Sequence, residues 1–384
     1  MSEPAVKEQV APEISNVTLD FSVSQKTLEK ALSFVGGVMT KKNLVPILSH
    51  IKIIVGEKIT MTATNMDLVI KETFDAEIKE KGVVCAPASL LHDIVKKVDR
   101  DDRVHCCLRK GILYIKTKKS EFRIPTMEAT QFPDISEMPF DKVITMKAPE
   151  LLDLLKNVSF NMSTNEARYI LNGVYFHQNE EKSVTCVATD FHRLAYAKSK
   201  QTFSETFTPC VIGKTTVQEL EKVLEDSDQE VEIHISEARI QFEIISNGIK
   251  VVLGSRLLEG NYPDYQKVIM KNHPNMAIVS ADPFKTALER IALVLSETEC
   301  HVSLNFEADQ LTLKAKSQHL GAAEESLSVE YKGEPLKIVI NINYIMDITR
   351  YVKDAEFKFF MKGNYDSLIV ESKHAQYFIM PLIH

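Results

Sequence analysis

The sequence predicts an α+β protein of three repeated domains, with antiparallel sheets that pack one face on a few helices. Three observations carry this expectation. A period of about 125 to 130 residues runs through the 384-residue chain. Two helical stretches recur in each period. Between them, short runs alternate apolar and polar residues across polar turns, the pattern of strands joined as hairpins. A doubly wound nucleotide fold is not expected, because the chain has neither a GxxxxGK[ST] loop nor a GxGxxG turn.

Residues 1–18, MSEPAVKEQVAPEISNVT, have no basic start, apolar stretch or cleavage site and read as a solvated extension, not a targeting peptide. A cytoplasmic protein is expected. The first domain is assigned to 19–140, the second to 141–270 and the third to 271–384, with boundaries after the closers QFPD and NYPD. Hairpins are expected at IKIIVGEKITMTAT (51–64), VYFHQNEEKSVTCVAT (174–189) and VSLNFEADQLTLKAK (302–316), whose Ile59-Thr60, Val184-Thr185 and Leu311-Thr312 units lie 125 and 127 residues apart. First helices open at Ser24, Ala148 and Ala281, each with apolar residues at helical spacing and a Ser, Pro or Asp near the start. Second helices start at Pro87, Gly213 and Ile342, spaced 126 and 129 residues. The order helix, strands, helix, strands suggests a further twofold likeness inside each repeat.

Apolar residues at 44% and charged residues at 26% are near the globular average, and no apolar run approaches the roughly 20 residues of a spanning helix, so disordered and membrane classes are excluded. The six cysteines form no CxxC pair, so buried reduced thiols are expected and a zinc site is not. The formal charge of −7 speaks against a nucleic-acid partner until its distribution is read. Residues 19–140 sum to +3, 141–270 to −5 and 271–384 to −3. Basic residues gather near helix ends: Lys41 and Lys42, Lys96 and Lys97, Arg168 beside Tyr169, Lys214, and Arg350 with Lys353. Taken singly these are ordinary exposed side chains or favourable helix C-terminal charges. Taken together they offer a sparse basic surface to a phosphate backbone, with no element that reads bases.

The most suggestive catalytic constellation is Thr189-Asp190-Phe191-His192-Arg193, where Asp190 and His192 sit at a strand end and permit a hydrolase reading. The matching end of the first repeat, Thr64-Asn65-Met66-Asp67, has no His, and no nucleophile turn accompanies either. A polar loop beside an apolar wall, suited to a peptide, is the preferred reading. The acidic pair Asp101-Asp102 lies in KKVDRDDR and reads as a solvated turn without metal-ligand spacing. No cofactor and no metal are expected.

Five ordered motifs then carry a family resemblance: NLVPILSHI (43–51), RYILNGVYF (168–176), VATDFHRLA (187–195), LLEGNYPDY (257–265) and the terminal YFIMPL (377–382). From about Leu19 to its end the chain resembles the bacterial DNA sliding clamps, the beta subunits of DNA polymerase III. The resemblance implies three clamp domains, head-to-tail pairing of two chains into a ring with helices lining the hole and sheets outside, and encirclement of duplex DNA without sequence specificity. It implies a processivity factor with no catalytic site of its own, acting as a subunit of the polymerase III holoenzyme, a nucleotidyltransferase complex. Its implied partners are double-stranded DNA, a second copy of the chain, the polymerase catalytic subunit, the clamp loader, and other polymerases and repair proteins that bring short apolar peptides; no membrane is implied. An ordinary DNA-binding protein that does not encircle is the remaining rival.

Carried over residue by residue, the peptide pocket is implied to comprise Leu171, Thr189, His192, Arg193, Leu194, Pro263, Lys267, Val268, Asn341, Tyr344, Ser367, Ile379, Met380, Pro381 and Leu382. The implied DNA contacts are Lys42, Lys96, Lys97, Asn165, Arg168, Tyr169 and Lys214, and the implied dimer contacts are Phe122 and Ile124 against Val294 and Leu295. The chain departs from the family pattern at Phe191, where Gly is common, at Lys267, where Arg is common, at Ile170, where a second aromatic is common, and in its ending Ile383-His384.

Overall fold

A computed structural model describes residues 17–38, 45–133, 139–269 and 273–382. Most of the expected N-terminal extension, the basic residues Lys41 and Lys42, and the Ile383-His384 ending lie outside the described residues. The chain divides into two compact units, one formed by the chain up to position 137 with Gly248–Val252, the other by Met138–Asn247 with Leu253–His384.

The first unit runs β1 (Val17–Ser24), α1 (Gln25–Val35), β2 (His50–Val55), β3 (Ile59–Thr64), β4 (Leu68–Phe74), β5 (Glu77–Glu80), β6 (Gly82–Pro87), α2 (Ala88–Lys96), β7 (Arg103–Arg109), β8 (Ile112–Lys116) and β9 (Glu121–Pro125). Ser24 caps α1 by accepting from the Thr27 amide at 3.1 Å. The buried residues Leu28, Ala31, Leu32 and Val35 then repeat every three or four positions along one face. The expected hairpin is present: Lys52 faces Thr62 and Val55 faces Ile59. One five-stranded sheet has the order β5-β1-β7-β8-β9, and β4, β3, β2 and β6 adjoin in that order.

The second unit holds two further repeats. The first contains β10 (Lys142–Lys147), α3 (Ala148–Val158), β11 (Gly173–Gln178), β12 (Ser183–Thr189), β13 (Arg193–Thr202), β14 (Cys210–Gly213), α4 (Lys214–Leu224), β15 (Glu230–Ile235), β16 (Arg239–Ser246) and β17 (Ile249–Arg256), of which residues 249–252 count with the first unit. The other contains β18 (Asn275–Ser280), α5 (Ala281–Ala292), β19 (His301–Glu307), β20 (Gln310–Ser317), β21 (Gly321–Ser328), β22 (Glu330–Lys332), β23 (Leu336–Asn341), α6 (Ile342–Tyr351), β24 (Glu356–Met361), β25 (Leu368–Glu371) and β26 (Ala375–Ile379). The hairpins β11-β12 and β19-β20 fall on the expected segments.

The twofold likeness inside each repeat is explicit in the pairing. Each half is one strand, one helix and three strands, with a short fourth strand (β5, β22) in the first halves of the first and third repeats, and each half lends its first strand to the other half's sheet. In the first repeat β1 pairs β7 while β6 pairs β2. In the second β10 pairs β15 while β14 pairs β11. In the third β18 pairs β24, and β23 pairs β19. This exchange of first strands interlocks the two halves through their backbone hydrogen bonds. The second and third repeats are joined in turn: β13 pairs antiparallel with β26, setting Arg193 opposite Ile379 and Ala197 opposite Ala375. This produces a nine-stranded sheet, β14-β11-β12-β13-β26-β25-β24-β18-β22.

All six cysteines are free and only Cys300 is not fully buried. The turn expected to be wholly solvated at Asp101-Asp102 is half correct: Asp101 pairs with Lys26 at the surface, whereas Asp102 is buried and meets Lys118 at 3.3 Å. Glu72 breaks the apolar pattern of β4. It alternates in phase with Ile70 and Phe74, is wholly buried, and neither carboxyl oxygen has a hydrogen-bond partner. Burial therefore pushes its carboxyl well above the ordinary 4.5.

The folded chain retains a proton on Glu72 that the unfolded chain releases above about pH 4.5. Its contribution is fully present below that pH and is lost as pH rises toward the raised folded value. Glu72→Leu is expected to stabilise the protein at pH 8 by about 1–3 kcal/mol, the order of an unsatisfied buried polar group, and to flatten the fall in stability between pH 5 and 8. Urea unfolding midpoints at the two pH values measure both effects.

Candidate functional site

The turn between β12 and β13 is built by its own side chains. Thr189 Oγ1 donates to the Arg193 carbonyl at 2.7 Å and accepts from the Phe191 amide at 3.1 Å. Asp190 Oδ1 accepts from the amides of His192 and Arg193 at 2.9 and 3.0 Å. The first repeat makes the same turn with other letters: Thr64 Oγ1 donates to the Leu68 carbonyl at 2.9 Å, and Asn65 Oδ1 accepts from Asp67 and Leu68 at 3.1 and 2.8 Å. In both, the third residue is left-handed and outward-facing, Phe191 with φ 75° and Met66 with φ 81°.

What distinguishes the second turn is Arg193. Its Nε donates to Asp190 Oδ2 at 3.1 Å, Nη1 to Asp347 Oδ2 at 2.7 Å and Nη2 to the Phe160 carbonyl at 2.9 Å. The guanidinium also lies 4.8 Å from the centre of the Tyr344 ring. One partly buried fork thus ties the turn to the end of α3 and to α6. The chain end is drawn to the same place, as the Met380 amide donates to the His192 carbonyl at 2.9 Å and Leu382 to Val339 at 2.8 Å.

Beneath the turn lies an aromatic wall. Val187, Leu194, Tyr265, Ile369 and Phe378 form a buried cluster, against which Tyr175, Tyr262 and Val268 pack. Tyr175 and Tyr262 stack with ring centres 4.6 Å apart. His177 Nδ1 is 2.9 Å from the Gln178 carbonyl, which only accepts, so Nδ1 carries the proton. Burial holds this imidazole below its ordinary 6.5 and neutral, so Nε2 accepts from the Tyr265 hydroxyl at 3.0 Å. Burial raises the Tyr262 hydroxyl and pushes that of Tyr265 up to about 12, so both rings stay uncharged.

The structure gathers much of the residue set carried over for the pocket. Thr189, His192, Arg193, Leu194, Val268, Tyr344, Ile379 and Met380 meet through the contacts above, and Leu368, next to the buried Ser367, pairs with Ile379. Asn341 is occupied as the cap of α6, accepting from Asn343 at 2.9 Å. Leu171, at the end of the 3₁₀ helix Glu166–Leu171, is buried. Lys267 is exposed and pairs with Asp264 at 3.2 Å, one residue past Pro263, while Pro381 and Leu382 extend the chain beyond Met380. Reading the sequence missed the second half of the anchor, Phe160 and Asp347, because those partners lie 33 and 154 positions from Arg193. It also missed the tyrosine wall, although Tyr262 and Tyr265 stand in the motif LLEGNYPDY.

Of the basic set, Lys42 lies outside the described residues. Lys96 and Lys97 are exposed at the end of α2, and Lys214 is the first residue of α4, where its charge opposes the helix dipole and therefore is not there to stabilise the helix. Asn165 caps the 3₁₀ helix by accepting from Ala167 at 3.0 Å. Arg168 and Tyr169 point outward from that helix, with Tyr169 58% exposed.

In the implied dimer set, Phe122 is 37% exposed on β9, whereas Ile124 on the same strand is buried within its own unit. The expectation that both present apolar surface is corrected to Phe122 alone. After α5, Leu293 is 78% exposed while Val294 and Leu295 are half-buried. The buried stripe Phe284, Ala287, Leu288, Ile291 continues to Val294 and Leu295 at helical spacing and leaves Leu293 off it, the one signal in the sequence that would have found it.

The hydrolase alternative fails on geometry. Both oxygens of Asp190 are engaged by the turn and by Arg193, and His192, which is exposed, bonds to Asp190 through its backbone amide and not through its imidazole. Among the described residues, Glu232, His234 and Glu243 are close enough to share a metal ion, and His234 lies 3.5 and 3.7 Å from the two carboxylates, at ion-pair distance on a partly exposed sheet face. No helix of the described residues is long and apolar enough to cross a membrane.

Three family models match the chain in order: DNA polymerase III beta subunit N-terminal domain at residues 19–136, central domain at 145–264 and C-terminal domain at 266–383. A beta sliding clamp of Caulobacter vibrioides is 30% identical over 375 residues, covering 95% of this chain and all of that protein. One from Pseudomonas putida is 25% identical with the same coverage. The crystal structure of a DnaN sliding clamp from Bartonella birtlesii, bound to griselimycin, superposes with a TM-score of 0.90 at 30% identity, covering 95% of this chain and 100% of that one. The Caulobacter crescentus beta sliding clamp gives 0.88 at 28%, with 95% and 99% covered. With all three repeats matched in order, the chain belongs to the DNA polymerase III beta subunit family, the sliding clamps, and is a polymerase processivity factor.

Proposed function

We propose that two copies of the chain close head to tail around duplex DNA and that short apolar peptides of the polymerase, the clamp loader and repair proteins dock at the turn Thr189–Arg193 and the chain end Ile379–Leu382. The observation that carries the peptide reading is the β13–β26 pairing, which sets a preorganised polar turn over an aromatic wall and leaves Phe191, His192 and Met380 exposed beside it. An extended peptide needs that combination of apolar floor and a few fixed polar groups. Changing His192 to Ala is expected to weaken a client peptide several-fold while leaving the dimer intact; a substrate turned over by the wild type and not by the variant would restore the hydrolase reading.

The closing contact joins two sheet edges. β9 ends the five-stranded sheet and β21 ends the sheet β21-β20-β19-β23. β21 is eight residues long with largely exposed side chains, the kind of edge that recruits a partner strand. Phe122 on β9, and Leu293 with Val294 and Leu295 after α5, supply the apolar part, a heterologous contact that two copies close by rotation. Leu293→Glu with Val294→Glu is expected to yield a folded monomer by sedimentation, and an unchanged dimer refutes this interface.

For DNA, Lys96 and Lys97 of the first unit, and Asn165, Arg168, Tyr169 and Lys214 of the second, are each read as sparse non-specific contacts, with Lys42 given the same role by resemblance. Encirclement makes weak contacts sufficient, since a duplex that cannot leave sideways need not be gripped, and tight phosphate contacts would brake sliding. Three domains near the boundaries 19–140, 141–270 and 271–384 accord with family matches at 19–136, 145–264 and 266–383, the last beginning five residues before the boundary read from the sequence, and a cytoplasmic site of action accords with the free thiols. The deciding experiment loads the protein on nicked circular DNA with a clamp loader and then linearises it in high salt. Retention on the circle with loss from free ends is expected. Equal loss from both would favour an ordinary DNA-binding protein.

A further inference from the structure

Glu232, His234 and Glu243 form a cluster that the fold does not explain. β15 and β16 pair with Glu232 directly opposite Glu243 and His234 opposite Gln241. Buried and open positions alternate along both strands, which puts these four side chains together on the face turned away from the core. Two carboxylates set directly across a ladder repel each other. On its other side β15 meets β10, which sets Val143 opposite His234 and Thr145 opposite Glu232 and so brings no charge to either. Between the carboxylates stands His234 Nε2, 3.5 Å from Glu232 and 3.7 Å from Glu243. That nitrogen is shut off from solvent and has no hydrogen-bond partner, an arrangement that costs stability. Gln241 Nε2 donates to Glu243 Oε1 at 3.1 Å and steadies that carboxylate from the side.

We propose that these three side chains bind one zinc ion, through a carboxylate oxygen each from Glu232 and Glu243 and through His234 Nε2, with water in the fourth position. One ligand atom from each residue lies within 4.8 Å of the others. Ligands about 2.1 Å from a tetrahedral zinc stand about 3.4 Å from one another. The separations of 3.5 and 3.7 Å are therefore close to those of a filled site. A set of one imidazole nitrogen and two carboxylates suits zinc, whereas magnesium and calcium take oxygen ligands. A bound ion cancels the repulsion across the ladder, occupies the idle nitrogen and staples β15 to β16, while Gln241 orients Glu243 from outside the ligand set. Glu232 is 57% exposed, so the ion enters from solvent. Cysteine spacing gives no sign of such a site, because its ligands come from two paired strands.

The test uses the full-length protein as wild type, Glu232→Gln and His234→Gln, stripped of metal with EDTA and desalted, with zinc chloride as the probe in calorimetric titration. The wild type is expected to bind one zinc ion per chain, to melt at a higher temperature with zinc, and to lose that gain when EDTA is added. Each variant is expected to bind zinc at least about ten-fold more weakly. Glu232→Gln removes the like-charge pair, so without metal it should melt no lower than wild type, which separates loss of a ligand from loss of the fold. Cobalt(II) in place of zinc is expected to give the wild type a visible absorption band that both variants lack. Zinc bound equally by all three proteins, or displaced by magnesium, overturns the site. Failure of the wild type to bind zinc overturns it as well. If zinc adds nothing and metal-free His234→Gln melts lower than wild type, the three side chains are an ion-pair cluster and the site is overturned.

Discussion

A β-sheet edge is a row of unpaired amides and carbonyls, and the need to pair it organises this protein at successive scales. Within a repeat, each half gives its first strand to the other half's sheet, so that neither half closes alone. Between the second and third repeats, β13 takes β26 as its neighbour and the two sheets become one. The edges left over are treated in two ways. β5 is short and charged, and β22 is three residues long, so both are poor templates. β21 is long and open, with Leu293 exposed on the helix behind it. The ring proposed for two copies would leave no such edge to recruit a third.

The same pairing creates the proposed peptide site as a by-product. Joining β13 to β26 brings a turn of one repeat against the terminal strand of the next, and only then do Asp190, Asp347 and the Phe160 carbonyl surround one guanidinium. Arg193 presents a planar fork of donors, and three of its directions are filled by protein while its face rests on Tyr344. A lysine would satisfy one of those directions at a time. The turn is thereby fixed before any peptide arrives, which lowers the ordering cost of binding.

Electrostatics follows the topology as well. The net charge of −7 is spread over the whole chain, while the residues assigned to DNA sit at helix ends and in one short 3₁₀ helix. A protein that retains DNA by enclosure needs little positive charge, and an acidic balance elsewhere discourages adhesion at the wrong surface. Glu72 is a separate matter: a buried, unpartnered carboxyl in the core of the first unit, tolerated because it is neutral there.

The sequence by itself determined the threefold period, all six helices and the hairpins, because helical spacing and two-residue alternation are local consequences of which residues shun water. It also located the turn at Thr189–Arg193, since its side chains bond within five residues. Tertiary structure alone decided which strands exchange between halves, and which distant groups complete Arg193. It alone turned Ile124 inward and set Arg168 over Phe191. These depend on contacts between segments tens to hundreds of residues apart, and a periodic pattern says which face is buried without saying what buries it.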